Sequence, residues 1–479
     1  MFYIVSPWEL NLDGTDPKPD YDTKYALPMF FVLIFLEWAI LEITRVLNPN
    51  APKTGSYRLN DFIMSVALGA CQATFQLLLT LVGLNLEIGM YTMVYENYRI
   101  TTVDTKSNVI FTYVCLFLGK DLMYYAAHRF FHEYHTAWIG HSVHHSGEDY
   151  NLGTALRQGA LQPCFGWPFY LPMAFLGFHP HAFAAHAQLN TYFMFWIHTE
   201  LVGRLGVLEY IINTPSAHRM HHRPPGNCNY AGALIIWDRM FDTFRPEKVR
   251  MDLYGNGRQP NSFDVISVNA HRTLRRRRHL LFTRATKSHT HTHTDVHQIM
   301  DIPKSIFYRL FARRVKKPRQ VRISGLFEKI PAIEKDRRLE GPRRKKWDGE
   351  KKLGVFATLW FLVFGLAGLL GAIFLLIKGE GSMHRLDAAT GALASCIVFS
   401  ALGRFADRVN MMSYVNTLIC VSLQYAVLMY RPFEKHGDRF GDLFVKNDGK
   451  PFVWGSIVVL LALGGVSATK IQARQKKAA

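Results

Sequence analysis

Eight histidines crowd into three short stretches of this 479-residue chain. The first stretch, Tyr124-Tyr125-Ala126-Ala127-His128-Arg129-Phe130-Phe131-His132-Glu133, sets His128 and His132 four residues apart, on one face of a helix. The second, His141-Ser142-Val143-His144-His145, and the third, His218-Arg219-Met220-His221-His222, repeat histidine at positions i, i+3 and i+4. Neutral imidazole is a nitrogen ligand suited to iron, zinc or copper, and one helical turn can present two or three of them to a common point. A single ion uses only about four to six ligands, so the count predicts two metal ions with positions left open for oxygen or water. His198, in Trp196-Ile197-His198-Thr199-Glu200, is a candidate ninth ligand.

Other chemistries lack their residues. His132-Glu133-Tyr134-His135 is one residue too short for the HExxH of a zinc protease, and there is no G-x-S-x-G elbow, Walker loop or strand-borne G-x-G-x-x-G. His135, His179, His181 and His186 stand outside the clusters and are expected to be packing residues. The alternating His289, His291 and His293 have no fixed geometry for a metal. Six scattered cysteines form no CxxC pair and no disulfide framework.

The elements that must carry these ligands are apolar. Leu27–Leu47, Phe62–Val82, Val109–Ala127, Leu353–Ile377 and Met411–Tyr430 each approach the roughly 20 residues that cross a bilayer, with Leu386–Leu402 and Phe452–Val466 as weaker candidates. The acidic stretch before the first run lacks a basic region and a cleavage site, which predicts a spanning helix rather than a signal peptide. Residues 159–178 and 183–202 are apolar but interrupted by Pro163, Pro168, Pro172 and Pro180, which predicts a shorter membrane hairpin. Its Tyr192, Phe193, Phe195 and Trp196 are candidates for lining a channel for an alkyl tail, or for anchoring at the interface.

The expected fold is all-α: a polytopic integral membrane helical protein with a histidine-rich di-metal site at its cytosolic face. Four parts follow, namely a transmembrane block (1–127), a histidine-rich catalytic region with the hairpin (128–246), a basic, partly disordered cytosolic linker (247–352) and a second transmembrane block (353–479). The formal charge of +19 sits mostly in that linker and in the tail, which fits the positive-inside rule and needs no nucleic acid. Lys476 and Lys477 resemble a dilysine retrieval signal of the endoplasmic reticulum membrane.

The order HxxxH, HxxHH, HxxHH around a hairpin resembles the fatty acid hydroxylase superfamily, which includes sterol desaturases, sterol methyl oxidases and fatty acid hydroxylases. His141 to Gln158 (HSVHHSGEDYNLGTALRQ), Phe195 to Leu201 (FWIHTEL), Leu208 to His222 (LEYIINTPSAHRMHH) and Asn229 to Phe244 (NYAGALIIWDRMFDTF) look like its ether-lipid-cleaving branch. The resemblance covers Tyr21 to Pro246 well and fades from Gly255 to Gln298, apart from Asn261-Ser262-Phe263-Asp264, so that stretch reads as an insertion or a gene-modelling error.

The resemblance implies two irons held by histidine, dioxygen, and reducing equivalents from tetrahydrobiopterin. It also implies an alkylglycerol substrate hydroxylated beside its ether oxygen, the hemiacetal collapsing to a fatty aldehyde and a glycerol hydroxyl. Glu133 looks like a family glutamate that orients a ligand or helps bind cofactor, with a solvated helix-end carboxylate as the alternative. Glu148, Asp149, Tyr150, Asn151, Asn213 and Asn229 are further candidates to support the ligands, and Asp121, costly in lipid, is expected to face the protein interior. The competing readings are a sterol or fatty acyl hydroxylase fed by cytochrome b5 and, in another class, a metal transporter with ligands near the membrane midplane.

Overall fold

The computed structural model describes residues 26–48, 57–81, 84–104, 107–224, 226–248, 254–256, 259–271, 354–379 and 385–429. The linker beyond residue 271, its arginine and Thr-His tracts, the Phe452–Val466 run and the terminal lysines lie outside the described residues. The chain forms two compact units, one of residues 1–261 and 267–347, the other of 262–266 and 348–479.

In the first unit the predicted apolar runs are helices: α1 (Leu27–Leu47), α2 (Leu59–Leu81), and, after the short α3 (Ile88–Tyr98), α4 (Val109–Glu133). Among the described residues α1, α2 and α4 are long and apolar enough to cross a membrane, each rising roughly 30 Å or more at ~1.5 Å per residue. Val32, Phe35, Ile43 and Leu47 of α1 face outward, as a lipid-facing helix requires. Its opposite face carries the buried Glu37, which accepts hydrogen bonds from Tyr57, Thr199 and the Leu152 N–H.

The stretch 159–178, expected as one limb of a hairpin, is not a single helix. It breaks into α7 (Pro163–Gly166), a 3-10 turn (Trp167–Tyr170) and α8 (Leu171–Phe175), following the seven-residue α5 (His135–His141) and the single turn α6 (Leu152–Ala155). Proline explains the break, since a ring at the first or second position of each piece starts a new helix but cannot continue the old one. The second limb holds as α9 (Pro180–Trp196), whose N-terminus is capped by His179 Nδ1 accepting from the His181 N–H at 3.3 Å. Tyr91, Leu116, Met173, Ala174, Phe183 and Leu189 join α3, α4, α8 and α9 in one core. Two short helices complete the unit, α10 (Pro215–His222) and α11 (Ile236–Met240).

The second unit contains α12 (Val355–Gly379), α13 (Arg385–Asp407) and α14 (Met411–Met429), which follow the predicted C-terminal runs. Phe361 and Phe405 stack in its interior, and the buried Gln424 donates to Ser395 Oγ at 2.8 Å. Residues 262–266 belong here: Asp407 accepts from Ser262 Oγ (2.6 Å) and the Phe263 N–H (2.8 Å), and Asp264 accepts from Ser400 Oγ (2.5 Å). A β-carbon on Gly403 would stand 2.0 Å from the Phe263 carbonyl, so only glycine lets this short segment lie against α13.

Candidate metal centre

All nine predicted ligands converge, and they converge as two groups. His128, His132, His141, His145 and His221 form the first; His144, His198, His218 and His222 form the second, with ligand atoms within 4.8 Å of one another in each. None of the nine rings is more than 4% exposed.

Each of the two HxxHH clusters serves both groups, contrary to the expectation that a turn aims its histidines at a common point, whereas His128 and His132 stay together in the first. His141 and His145 go to the first group and His144 to the second, whereas His218 and His222 go to the second and His221 to the first. Helical geometry gives the reason: residues four apart lie about 40° from one another around the axis, and the i+3 residue points about 60° to the other side. Each HxxHH therefore bridges both groups. α4 brings His128 and His132 in its last turns, α5 ends on His141, a 3-10 turn carries His144 and His145, and α10 carries the third cluster. His198 follows the C-terminus of α9, in the position the sequence proposed for a ninth ligand.

Hydrogen bonds fix the rings. His128 Nδ1 donates to the Tyr230 carbonyl (2.9 Å), His141 Nδ1 to Gln162 Oε1 (3.1 Å), His144 Nδ1 to the Arg157 carbonyl (2.8 Å), His198 Nδ1 to the Met194 carbonyl (2.7 Å) and His221 Nδ1 to the Cys228 carbonyl (2.8 Å). Because these oxygens only accept, each Nδ1 holds the proton and each Nε2 a lone pair. Burial pushes His141, His145, His198, His218, His221 and His222 well below the ordinary histidine range and His144 down to about 4, so these rings are neutral at pH 7.

Those lone pairs then face one another. Nε2 of His128 stands 3.0 Å from Nε2 of His141, and Nε2 of His144 stands 3.3 Å from Nε2 of His198. Two such lone pairs repel unless a cation shares them, and about 3 Å is the spacing of neighbouring nitrogens on an ion with bonds near ~2.1 Å. The Nε2 atoms of His221 and His222 are buried without a hydrogen-bond partner. An all-imidazole donor set, neutral, buried and proton-free on the facing nitrogens, fits two ions of the iron, zinc or copper kind.

The other predicted residues surround the groups without joining them. Glu133 is buried and accepts from Arg129 Nε at 2.9 Å. Asp149 accepts from Arg58 Nε at 2.8 Å, Glu148 lies 3.6 Å from the same guanidinium, and Asn151 caps α6. Tyr150 donates to the Ile197 carbonyl (2.9 Å) and stacks on His198. Asn213 and Asn229 donate to backbone carbonyls of 217, 231, 232 and 245. Asp121 faces inward, as its cost in lipid demands. Phe193 and Phe195 are buried, Phe195 stacking on Phe30 at 4.1 Å. His135, His179, His181 and His186 fall outside both groups.

Sequence reasoning missed the acceptors. Arg157 offers its carbonyl to His144, while its Nε donates to Ser146 Oγ (2.9 Å) and its Nη1 reaches Asp61 (3.3 Å). It also missed the salt bridge of Arg219 to Glu247 (2.7 Å) and the contacts of Tyr254 and Asn256, the latter in the stretch read as an insertion or a gene-modelling error. Tyr254 stacks on Tyr150 at 4.8 Å, and Asn256 Nδ2 donates to the Ser142 carbonyl at 2.7 Å. Carbonyl acceptors carry no side-chain signature, so only the fold reveals them.

Helices that cross a membrane and two buried histidine groups define a class, and residues 113–243 match the family model described as fatty acid hydroxylase. The matched stretch takes in all nine histidines of the two groups. Over 271 residues the chain is 43% identical to the alkylglycerol monooxygenase of Xenopus tropicalis, a match covering 56% of this chain and 57% of that protein. The alkylglycerol monooxygenase of Homo sapiens is 40% identical over 274 residues (57% and 58%), and that of Danio rerio 41% over 271 residues (56% and 57%). The matched region spans less than two thirds of these relatives' own length. No solved structure matches the chain.

Proposed function

We propose that this protein is a membrane-bound di-iron monooxygenase that cleaves the O-alkyl bond of alkylglycerols, and of lyso-alkylglycerophospholipids, with dioxygen and tetrahydrobiopterin. The observation that carries the reading is the pair of histidine groups within a region about 40% identical to alkylglycerol monooxygenases. His128, His132, His141, His145 and His221 would hold one iron, and His144, His198, His218 and His222 the other. Iron bound there would supply the activation of dioxygen that places one oxygen atom in a strong aliphatic C–H bond.

The chain's own residues do the rest. Backbone carbonyls hold Nδ1 protons on His128, His144, His198 and His221, so that Nε2 stays aimed and deprotonated. Glu133, adjoining His132, is the candidate for orienting that ring or contacting the cofactor, and it accepts a hydrogen bond from Arg129. The product of hydroxylation beside the ether oxygen is a hemiacetal: its C–O bond to glycerol breaks, the hydroxyl proton passes to the glycerol oxygen, and a fatty aldehyde leaves. No hydrolytic residue is required. Dioxygen's second atom leaves as water, with two electrons and two protons from the pterin. We place the protein in the endoplasmic reticulum membrane with this site toward the cytosol, the orientation on the charge distribution.

The ring locking described above suits a resident ion rather than a transported one, which must be released. The test is aldehyde release from a 1-O-alkylglycerol by membranes containing the protein, with and without tetrahydrobiopterin. Aldehyde that requires both protein and pterin is expected. Iron-loaded protein that releases none, yet hydroxylates a sterol or fatty acyl chain with cytochrome b5, would replace this reading with the other.

A further inference from the structure

The loop that supplies the backbone acceptors of the first histidine group is gripped by two carboxylates that belong to neither group. Asp121, seven residues before His128 on α4, accepts through Oδ1 from the Ala233 N–H (2.6 Å) and Asn190 Nδ2 (3.1 Å). Its Oδ2 accepts from the Leu234 N–H (2.9 Å) and Trp237 Nε1 (2.8 Å). From the other side Asp238 accepts from the N–H groups of Tyr230 (2.8 Å) and Ala231 (2.7 Å) and from Thr243 Oγ1 (2.5 Å). The approach is close enough that a β-carbon on Gly232 would lie 2.5 Å from Asp121 Oδ1. Seven donors thus converge on four carboxylate oxygens, an arrangement that an acceptor-only group satisfies and an amide cannot.

What this clamp holds is specific. The Tyr230 carbonyl takes the Nδ1 proton of His128, and the Cys228 carbonyl that of His221. The Tyr230 ring also lies against His128, His132 and His221, with centroids 6.1, 5.3 and 5.9 Å away. The second group draws its acceptors elsewhere, from Arg157 and Met194. We infer that Asp121 and Asp238 are positioning residues for the five-histidine centre, acting on it through residues 228–234, and that the four-histidine centre does not depend on them. The inference rests on the reading that each histidine group holds an ion.

The experiment is elemental analysis of the full-length protein in lipid nanodiscs after a chelator challenge, comparing wild type with Asp121→Asn and Asp238→Asn. Both changes keep the side-chain shape and turn accepting oxygens into donors. Wild type is expected to keep two ions per chain and each variant one, with affinity at the affected centre about 10–100-fold weaker. Pairing with ligand variants shows which ion is lost: Asp238→Asn should take none further from His132→Ala and should empty His222→Ala. Two ions retained in both aspartate variants would overturn the inference, and so would parallel loss of both ions, which marks a general role in folding. If neither aspartate variant is recovered folded, Thr243→Val removes one donor and leaves the carboxylate. Faster release of one ion then supports the inference, and equal release of both overturns it. A wild-type protein that binds fewer than two ions contradicts the two-centre reading itself.

Discussion

At the scale of single residues, what matters is which nitrogen of each imidazole carries the proton. The Nδ1–H bonds leave Nε2 as the ligand atom in both groups, so losing one ring removes a donor that no neighbour can replace. His145→Ala or His221→Ala should therefore reduce turnover to background while the protein still inserts in membranes; normal activity in either would remove that residue from the ligand set. Acid acts on the same rings. His144 titrates near 4 in the folded chain and near 6.5 when unfolded, so below 6.5 the unfolded state binds protons that the folded state refuses. Stability of chelator-treated protein should fall as pH drops from about 6.5 toward 4, by up to ~1.4 kcal/mol per pH unit for each such histidine, visible as a falling Tm. A flat Tm over that window would contradict the burial of neutral rings. The nine histidines that converge were legible in the sequence, because histidine spacing survives without a fold. Their division into five and four was not, because it depends on helix phase and on which carbonyl each ring meets.

At the scale of elements, close approach decides whether the rings meet. Gly159 lies against α5 so closely that a β-carbon would stand 2.0 Å from the Gly140 carbonyl, and the same approach brings Gln162 to His141. Gly159→Ala should push this segment away and weaken ion binding about tenfold or more, read by chelator competition; unchanged retention would mean that Gln162 is dispensable. Glu37 ties α1 to Tyr57, to the Leu152 N–H and to Thr199, one residue past His198. Glu37→Ala leaves buried donors unserved at about 1–3 kcal/mol each, and should lower Tm by several degrees. The long helices were readable from their apolar runs, and α9 from the apolar run at 183–202, although the helix itself starts at Pro180 and ends at Trp196. The limb at 159–178 was read as part of a shortened hairpin interrupted by prolines, and the structure differs because each proline starts a separate short helix. The hold of Asn256 was missed because it falls on backbone, the side chain donating to the Ser142 carbonyl.

At the scale of the whole molecule, α4, long enough to span a bilayer, delivers His128 and His132 near its C-terminal end, where on the proposed function an alkyl chain would remain in hydrocarbon while its polar head reaches the site. The protein should accordingly stay with the membrane pellet after alkaline carbonate extraction, and release into the supernatant would contradict the spanning helices. The central claim is that oxygen from dioxygen enters the carbon beside the ether bond. It is tested most directly by supplying 18O2 to the pterin-fed protein with a 1-O-alkylglycerol and reducing the aldehyde to its alcohol as it forms, before it exchanges with water. The account predicts one 18O atom in the trapped alcohol, because the new hydroxyl oxygen stays with the alkyl chain when the hemiacetal collapses. An unlabelled product formed under 18O2 would contradict it, because the oxygen would then have come from water or from the ether itself.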